Sequence, residues 1–394
     1  ILFMSVNILV DTIFVGQWIG SLAIAAVTVV LPITFLISSL GMAIGIGGSS
    51  IISRALGAKD KEKAYRTFGN QIMMTLVLAL IFVVIGFLFS DEILLLFGAN
   101  GDIMKPAKEF FIPVLIGVPF LALCMMGNNV IRAEGKAKFA MMAMIIPAFG
   151  NIILDIIFIK FLDMGMFGAA LATTISYFMC FVFILWFFIK KSELKPSLHH
   201  YKFDLSIVKE ISSLGLVTFS RQGVVSILAI IINHTLFTYG GEHSVVVYGI
   251  ISRMLMFALF PILGVTQGFL PVAGYNYGAK NYVRVNETIS KSIKWAAGLA
   301  TVIFILILVL AEPIVAIFSK DATIIKETPS ALRLVFAASP IIAIQLIGAA
   351  YFQAAGKAIP ALLLTLTKQG FFLIPLILVL PNYYGIFGVW IAFP

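Results

Sequence analysis

Two cysteines and four histidines in 394 residues leave little material for disulfide or zinc chemistry. Cys124 and Cys180 both sit inside apolar runs, and no Cys-x-x-Cys pair or metal-ligand cluster can be read along the chain. Charge is scarce as well. Only 11% of residues carry it, where soluble domains have about a quarter. No stretch supplies the polar surface that a soluble chain of this length, split into two or three domains, would need. Alternating ten-residue segments, the mark of a transmembrane barrel, are also missing. An intramembrane enzyme would need an embedded Ser-His pair, a Gly-x-Gly-Asp pair of acids or a metal cluster, and none is present.

What is abundant is apolar. Hydrophobic residues make up 61% of the chain, and mean hydropathy is +1.08. A membrane span takes roughly 20 apolar residues. Twelve such runs are expected, at residues 1–17, 21–53, 67–97, 106–131, 139–162, 165–189, 207–239, 244–275, 288–318, 329–353, 358–380 and from 385 onward. This predicts an all-α integral membrane protein of twelve transmembrane helices. The first and last runs read as shortened, because the chain begins at Ile1 and ends at Pro394 inside apolar sequence.

The net charge is +9. On a soluble fold such an excess suggests nucleic acid, but no basic face is available here, so no nucleic-acid partner is expected. In a membrane protein the excess marks cytoplasmic loops. Eighteen Lys and Arg fall in the loops around 54–66, 132–138, 190–209, 276–294 and 354–357. Five (Lys105, Lys108, Lys160, Lys320 and Lys326) fall on the opposite side, and Arg221, Arg253, Arg333 and Lys368 lie within spans. The first side is therefore expected in the cytoplasm, together with both ends of an intact chain. The membrane is expected to be the cell (plasma or inner) membrane.

The chain also repeats. Gly57-Ala58-Lys59 and Gly278-Ala279-Lys280 are 221 residues apart, as are Gly135-Lys136-Ala137 and Gly356-Lys357-Ala358. Gly165-Met166-Phe167-Gly168 and Gly385-Ile386-Phe387-Gly388 are 220 apart. Six spans is an even number, so the two halves enter the membrane from the same side. They should be related by a pseudo-twofold along the membrane normal, as in parallel-repeat carriers. The expected organisation is an N-terminal six-helix lobe over 1–189, a cytoplasmic linker over 190–206 and a C-terminal six-helix lobe over 207–394.

Acids inside spans are costly and mark function. Only Asp11 and Asp155 lie well inside apolar runs. Each lies about 10 Å from the outer end of its span at 1.5 Å per residue, and each has an asparagine one turn earlier, Asn7 and Asn151. Thr173 reaches a similar depth in the sixth span. These five residues could converge in the first lobe. A carboxylate pair in low dielectric suits a proton, and with Asn and Thr oxygens added it suits Na⁺ as a metal ligand set. Both ions stay open, as does a purely structural role as interhelical hydrogen-bonding groups.

Other features carry less. Gly41-Met-Ala-Ile-Gly45-Ile-Gly47-Gly48 superficially matches a phosphate loop, but no strand precedes it and no Gly-Lys-Ser/Thr follows, so close helix packing is expected. Gly264-x-x-x-Gly268 is expected to pack likewise. Pro32, Pro119, Pro261, Pro340 and Pro375 lie inside spans and should bend them. Arg221 and Arg253 are candidates for a substrate cavity in the second lobe, and Arg253 is equally placed to snorkel. His199-His200 reads as a loop pair without partners. Fifteen Met and 35 Phe offer a plastic apolar wall.

Asp-Thr-Ile-Phe-Val-Gly at 11–16, Asn-Ile-Ile-Leu-Asp at 151–155, the two Gly-Ala-Lys endings, Tyr248-Gly249-Ile250 with Arg253 and Gly274-Tyr275-Asn276-Tyr277 resemble the multidrug and toxic compound extrusion (MATE) family over nearly the whole chain. The resemblance implies an antiporter, not an enzyme. It would export amphipathic, often cationic drugs by alternating access while admitting H⁺ or Na⁺, as a monomer in the lipid bilayer and without a cofactor. It also implies that Asp11, Asn151, Asp155 and Thr173 correspond to the cation site of the family's DinF-like branch. The NorM-like branch has further acids in spans seven and ten, and here span seven after Glu210 and span ten hold none. A lipid-linked oligosaccharide flippase of the same superfamily is the alternative, resting on Arg221 and Arg253.

Overall fold

In a computed structural model, residues 10–11, 13–318 and 321–394 are described. All regular structure among them is helical, with no strand. This follows from the solvent. In hydrocarbon the backbone must satisfy its own hydrogen bonds, and a helix does so within one segment.

Among the described residues, nine helices are long and apolar enough to cross a membrane. A tenth span is a bent pair, Thr323–Phe336 and Ser339–Ala354, with 42° between the halves. The run expected at 329–353 is thus broken, just before the Pro340 expected to bend it. Pro340 stands in the first turn of the second piece, where its missing N–H costs nothing, and it cannot continue the piece before it. The span also starts earlier than expected. Of the two remaining expected spans, residues 1–9 lie outside the described residues and Ile386–Ile391 opens the last.

The chain divides into two compact units, Ile1–Thr218 and Phe219–Pro394. The division falls within the helical stretch Leu205–Gly278, which Gly241 (φ 62°) interrupts in a backbone conformation that suits glycine. In the first unit, α1 is helical at residues 10–11 and 13–18. It is followed by α2 (Ser21–Gly57), α3 (Lys61–Leu88), the short α4 (Ser90–Leu96), α5 (Met104–Ala133), α6 (Ala137–Asp155) and α7 (Gly165–Lys190). Helix α5 is the central post. It packs against α2, α3, α6 and α7 and is buried along most of its length.

Small residues let these helices approach, as the Gly41–Gly48 stretch predicts. A Cβ on Gly47 would run into the Ile211 carbonyl, and one on Gly48 would run into the Gln71 side chain. Gly264 and Gly268 behave differently. No described atom lies within 4 Å of a Cβ built on either, so the packing expected there is not found.

The stretch after α7 is docked rather than loose. Asn70 of α3 donates to the Lys202 carbonyl (3.2 Å) and accepts from the Asp204 amide (2.9 Å). A short turn at Leu198–Tyr201 lies against α3. Its His200 meets Glu62 of α3 at 3.0 Å, so the histidine pair does have a partner, 138 residues away in sequence. Loop-borne pairings of this kind leave no local pattern to read.

In the second unit the core gathers Leu228, Ile232, Ile251, Leu332 and Trp390. A π-helical turn at Thr367–Leu373 frees main-chain acceptors, and Gln345 Nε2 donates to the Leu364 carbonyl just before it (2.8 Å).

Candidate functional site

Helix α6 carries a stripe at Met144, Pro147, Ala148 and Asn151, spacings of three and four that fall on one face. Asp155 continues it by one more turn. Helix α7 opposes it with Thr173, Ser176, Tyr177 and Cys180 at the same spacings. Together with Asp11 of α1, and with α2 and α5, these faces enclose a cavity of about 130 Å³ inside the first unit.

The main chain is adjusted to the site at two places. Pro147 has no N–H for the carbonyl four residues earlier, that of Ala143. Cys180 Sγ donates to that carbonyl at 3.1 Å. Directly after Asp155, α6 widens into a π-helical stretch over Ile156–Phe161. Such turns concentrate at functional sites.

The acids meet. Asp155 is fully buried, 0% exposed, and its carboxyl lies against that of Asp11. Neither oxygen of Asp155, nor Asp11 Oδ1, finds a hydrogen bond of ordinary geometry among the described residues. The two observations agree chemically. Ionised carboxylates only accept, so two of them in contact have no hydrogen to share until a proton or a cation comes between them. Such groups fit a small cation, and uncompensated buried charge is costly without one.

The structure thus brings Asp11, Asn151 and Thr173 to one cavity and Asp155 to its edge. Asn7 lies outside the described residues. Thr173 Oγ1 donates to the Ala169 carbonyl at 3.1 Å, which leaves its lone pairs for a ligand. Arg221 is half-buried and Arg253 exposed, and neither lines this cavity. Sequence reasoning missed Tyr177, which lines the cavity within electrostatic reach of Asp11. Its signal was its position one turn after Thr173 on an otherwise apolar helix.

Apolar spans around a cavity, with one buried acid on its lining and a second against it, fit a polytopic membrane carrier. A family model described as MatE matches residues 1–157 and 221–379, two stretches whose starts lie 220 residues apart. The chain belongs to the MatE family. Across 377 residues it is 30% identical to the multidrug export protein MepA of Staphylococcus haemolyticus (strain JCSC1435), covering 95% of this chain and 83% of that protein. It is 27% identical over the same length to MepA of Staphylococcus aureus (strain N315). Among solved structures, the MATE multidrug transporter DinF-BH is 38% identical, with a TM-score of 0.89 over 100% of this chain and 88% of that one. A multidrug resistance MATE family transporter of the MOP superfamily in an outward-facing conformation has 29% identity and a TM-score of 0.92, over 99% and 88%. The family is one of membrane transporters rather than enzymes.

Proposed function

We propose that this chain exports multiple amphipathic, often cationic small molecules by alternating access, and that Asp11 and Asp155, with Asn151 and Thr173, bind the H⁺ or Na⁺ whose influx drives it. Export of drugs is what the relatives' names describe. The observation that carries the coupling is Asp155, fully buried in an apolar span with both carboxyl oxygens unmatched and a second carboxyl against it. Coupling requires an ion that binds one conformation better than another, and the shift it produces is limited by that difference. A carboxyl pair whose surroundings change with conformation supplies the difference. The charge pattern supports loops 54–66 and 190–209 lying in the cytoplasm. The flippase reading gains nothing from relatives named for multidrug export.

The test is uptake of a fluorescent cationic dye into everted vesicles energised by an imposed pH gradient or an imposed Na⁺ gradient, for wild type and Asp155→Asn. The gradient that drives uptake identifies the ion. Asn keeps the shape but holds neither a proton nor a balancing charge, so the variant should bind dye and fail to accumulate it. Wild-type accumulation by a folded Asp155→Asn protein would remove the carboxyl pair from the mechanism.

A further inference from the structure

The turn that docks on α3 brings two imidazoles and a carboxylate together, away from the cavity. Here we propose a site for a divalent transition-metal ion, held by Glu62, His199 and His200. Their ligand atoms all lie within 4.8 Å of one another. His200 Nε2 is 3.0 Å from Glu62 Oε2, and His199 Nε2 is 3.8 Å from Glu62 Oε1. Zinc held at about 2.0–2.2 Å by nitrogen and oxygen in a tetrahedron places neighbouring donors about 3.3 Å apart. The two observed separations bracket that value. The third, between the imidazoles, closes by turning His199, whose side chain is 59% exposed and bonded through Nδ1 to Ser197 Oγ at 3.0 Å.

The ligands are held from behind. Arg66 Nε binds Glu62 Oε1 at 2.8 Å, which leaves Oε2 for His200. His200 is 4% exposed, with the Tyr65 ring edge-on to it (5.4 Å between centroids) and the His199 ring at 3.7 Å. Its Nδ1 accepts from the Ser197 amide at 2.8 Å, which places the ring hydrogen on Nε2. A metal at Nε2 displaces that hydrogen to Nδ1, and the Ser197 amide then gives up its bond to that atom. Acceptors are in place for the hydrogen: Ser197 Oγ at 2.9 Å and the Ser197 carbonyl at 3.2 Å. A metal ligand must present a neutral imidazole. Glu62 is 52% exposed, so the site opens to solvent and water completes the shell. Two imidazoles and one carboxylate suit Zn²⁺, Ni²⁺ or Co²⁺ and not Mg²⁺ or Ca²⁺. Bound there, the ion pins the segment after the sixth span to the first turn of α3.

The experiment uses the full chain, purified in detergent with any histidine tag removed. Co²⁺ titration followed by visible absorption, and metal content after Zn²⁺ loading and desalting, should report one ion per chain. Mg²⁺ should not compete. His199→Ala removes an exposed ligand and leaves the turn docked through His200. Even outer-shell partners of a metal are worth about 10–100-fold in affinity, so loss of this ligand should weaken Zn²⁺ by at least that range. Zn²⁺ should also slow tryptic cleavage at Lys202 in wild type but not in His199→Ala. Glu62→Gln, which keeps a partner for His200, should lose the metal in the same way. No ion retained by wild type, or equal binding by a folded His199→Ala protein, overturns the proposal.

Discussion

Cys180 donates its thiol hydrogen to the carbonyl of Ala143, the acceptor that Pro147 leaves without its helical partner. The proline position of α6 is thereby tied to α7 beside the cavity. Buried neutral hydrogen bonds contribute about 1 kcal/mol. Cys180→Ala should therefore lower thermal stability in detergent by about that amount, and Cys180→Ser should restore most of it. In a Pro147→Ala background the main-chain amide returns, and Cys180→Ala should cost less. Equal cost in both backgrounds would separate the two residues.

Asp155→Asn should make the folded protein more stable while it loses transport. Its amide supplies the donor that two facing carboxylates lack. An unsatisfied buried acceptor costs about 1–3 kcal/mol, so the unfolding temperature should rise. A fall would mean that Asp155 is stabilised by a partner it shares with no cation.

The glycines divide sharply. Gly47→Ala forces a methyl against the Ile211 carbonyl, and overpacking of this kind costs about 1–3 kcal/mol. Gly264→Ala meets nothing within 4 Å and should leave stability unchanged or slightly raised. Thermal unfolding of the two variants side by side checks this. Similar losses in both would contradict the contrast.

Glu134 stands between the fourth and fifth spans, where it accepts from the Leu194 amide (3.0 Å) and the Ser192 hydroxyl. Burial pushes its carboxyl above the usual range, with those two bonds opposing. A raised folded value means the folded state holds the proton more tightly, so its stabilising effect is full at low pH and is lost as pH rises through the raised value. The thermal unfolding temperature should fall across that window. In Glu134→Gln the window should vanish. An unchanged pH profile in that variant would place the titration elsewhere.

Orientation can be read by labelling. Both native cysteines are buried, so a cysteine placed at Lys61 should react only from the cytoplasm and one at Asn100 only from outside. The reverse pattern would invert the expected topology.

Much of this is legible in the sequence. Span positions follow from hydropathy because a bilayer imposes one length on every crossing. Asp11 and Asp155 stand out because charge inside a span is rare, and Asn151 and Thr173 follow from helical spacing and depth. Three things are hidden. The break before Pro340 depends on where a helix restarts, which proline permits but does not place. The π turn after Asp155 has no residue signature. The meeting of Glu62 with His199 and His200 joins residues 137 and 138 positions apart through a docked turn, and periodicity is silent about such pairings.

That π turn has one more consequence. In an unbroken α-helix the residue four beyond Asp155, Ile159, would prolong the polar stripe of α6. Widening the helix rotates it away, and Ile159 is 2% exposed within the apolar cluster that holds Val15 and Met166. Asp11 lines the cavity and Asp155 does not. Among the described residues the polar stripe therefore ends at Asp155, against an apolar wall. On the proposed reading of the two acids as the coupling pair, an ion would meet Asp155 by way of Asp11 and not through that wall.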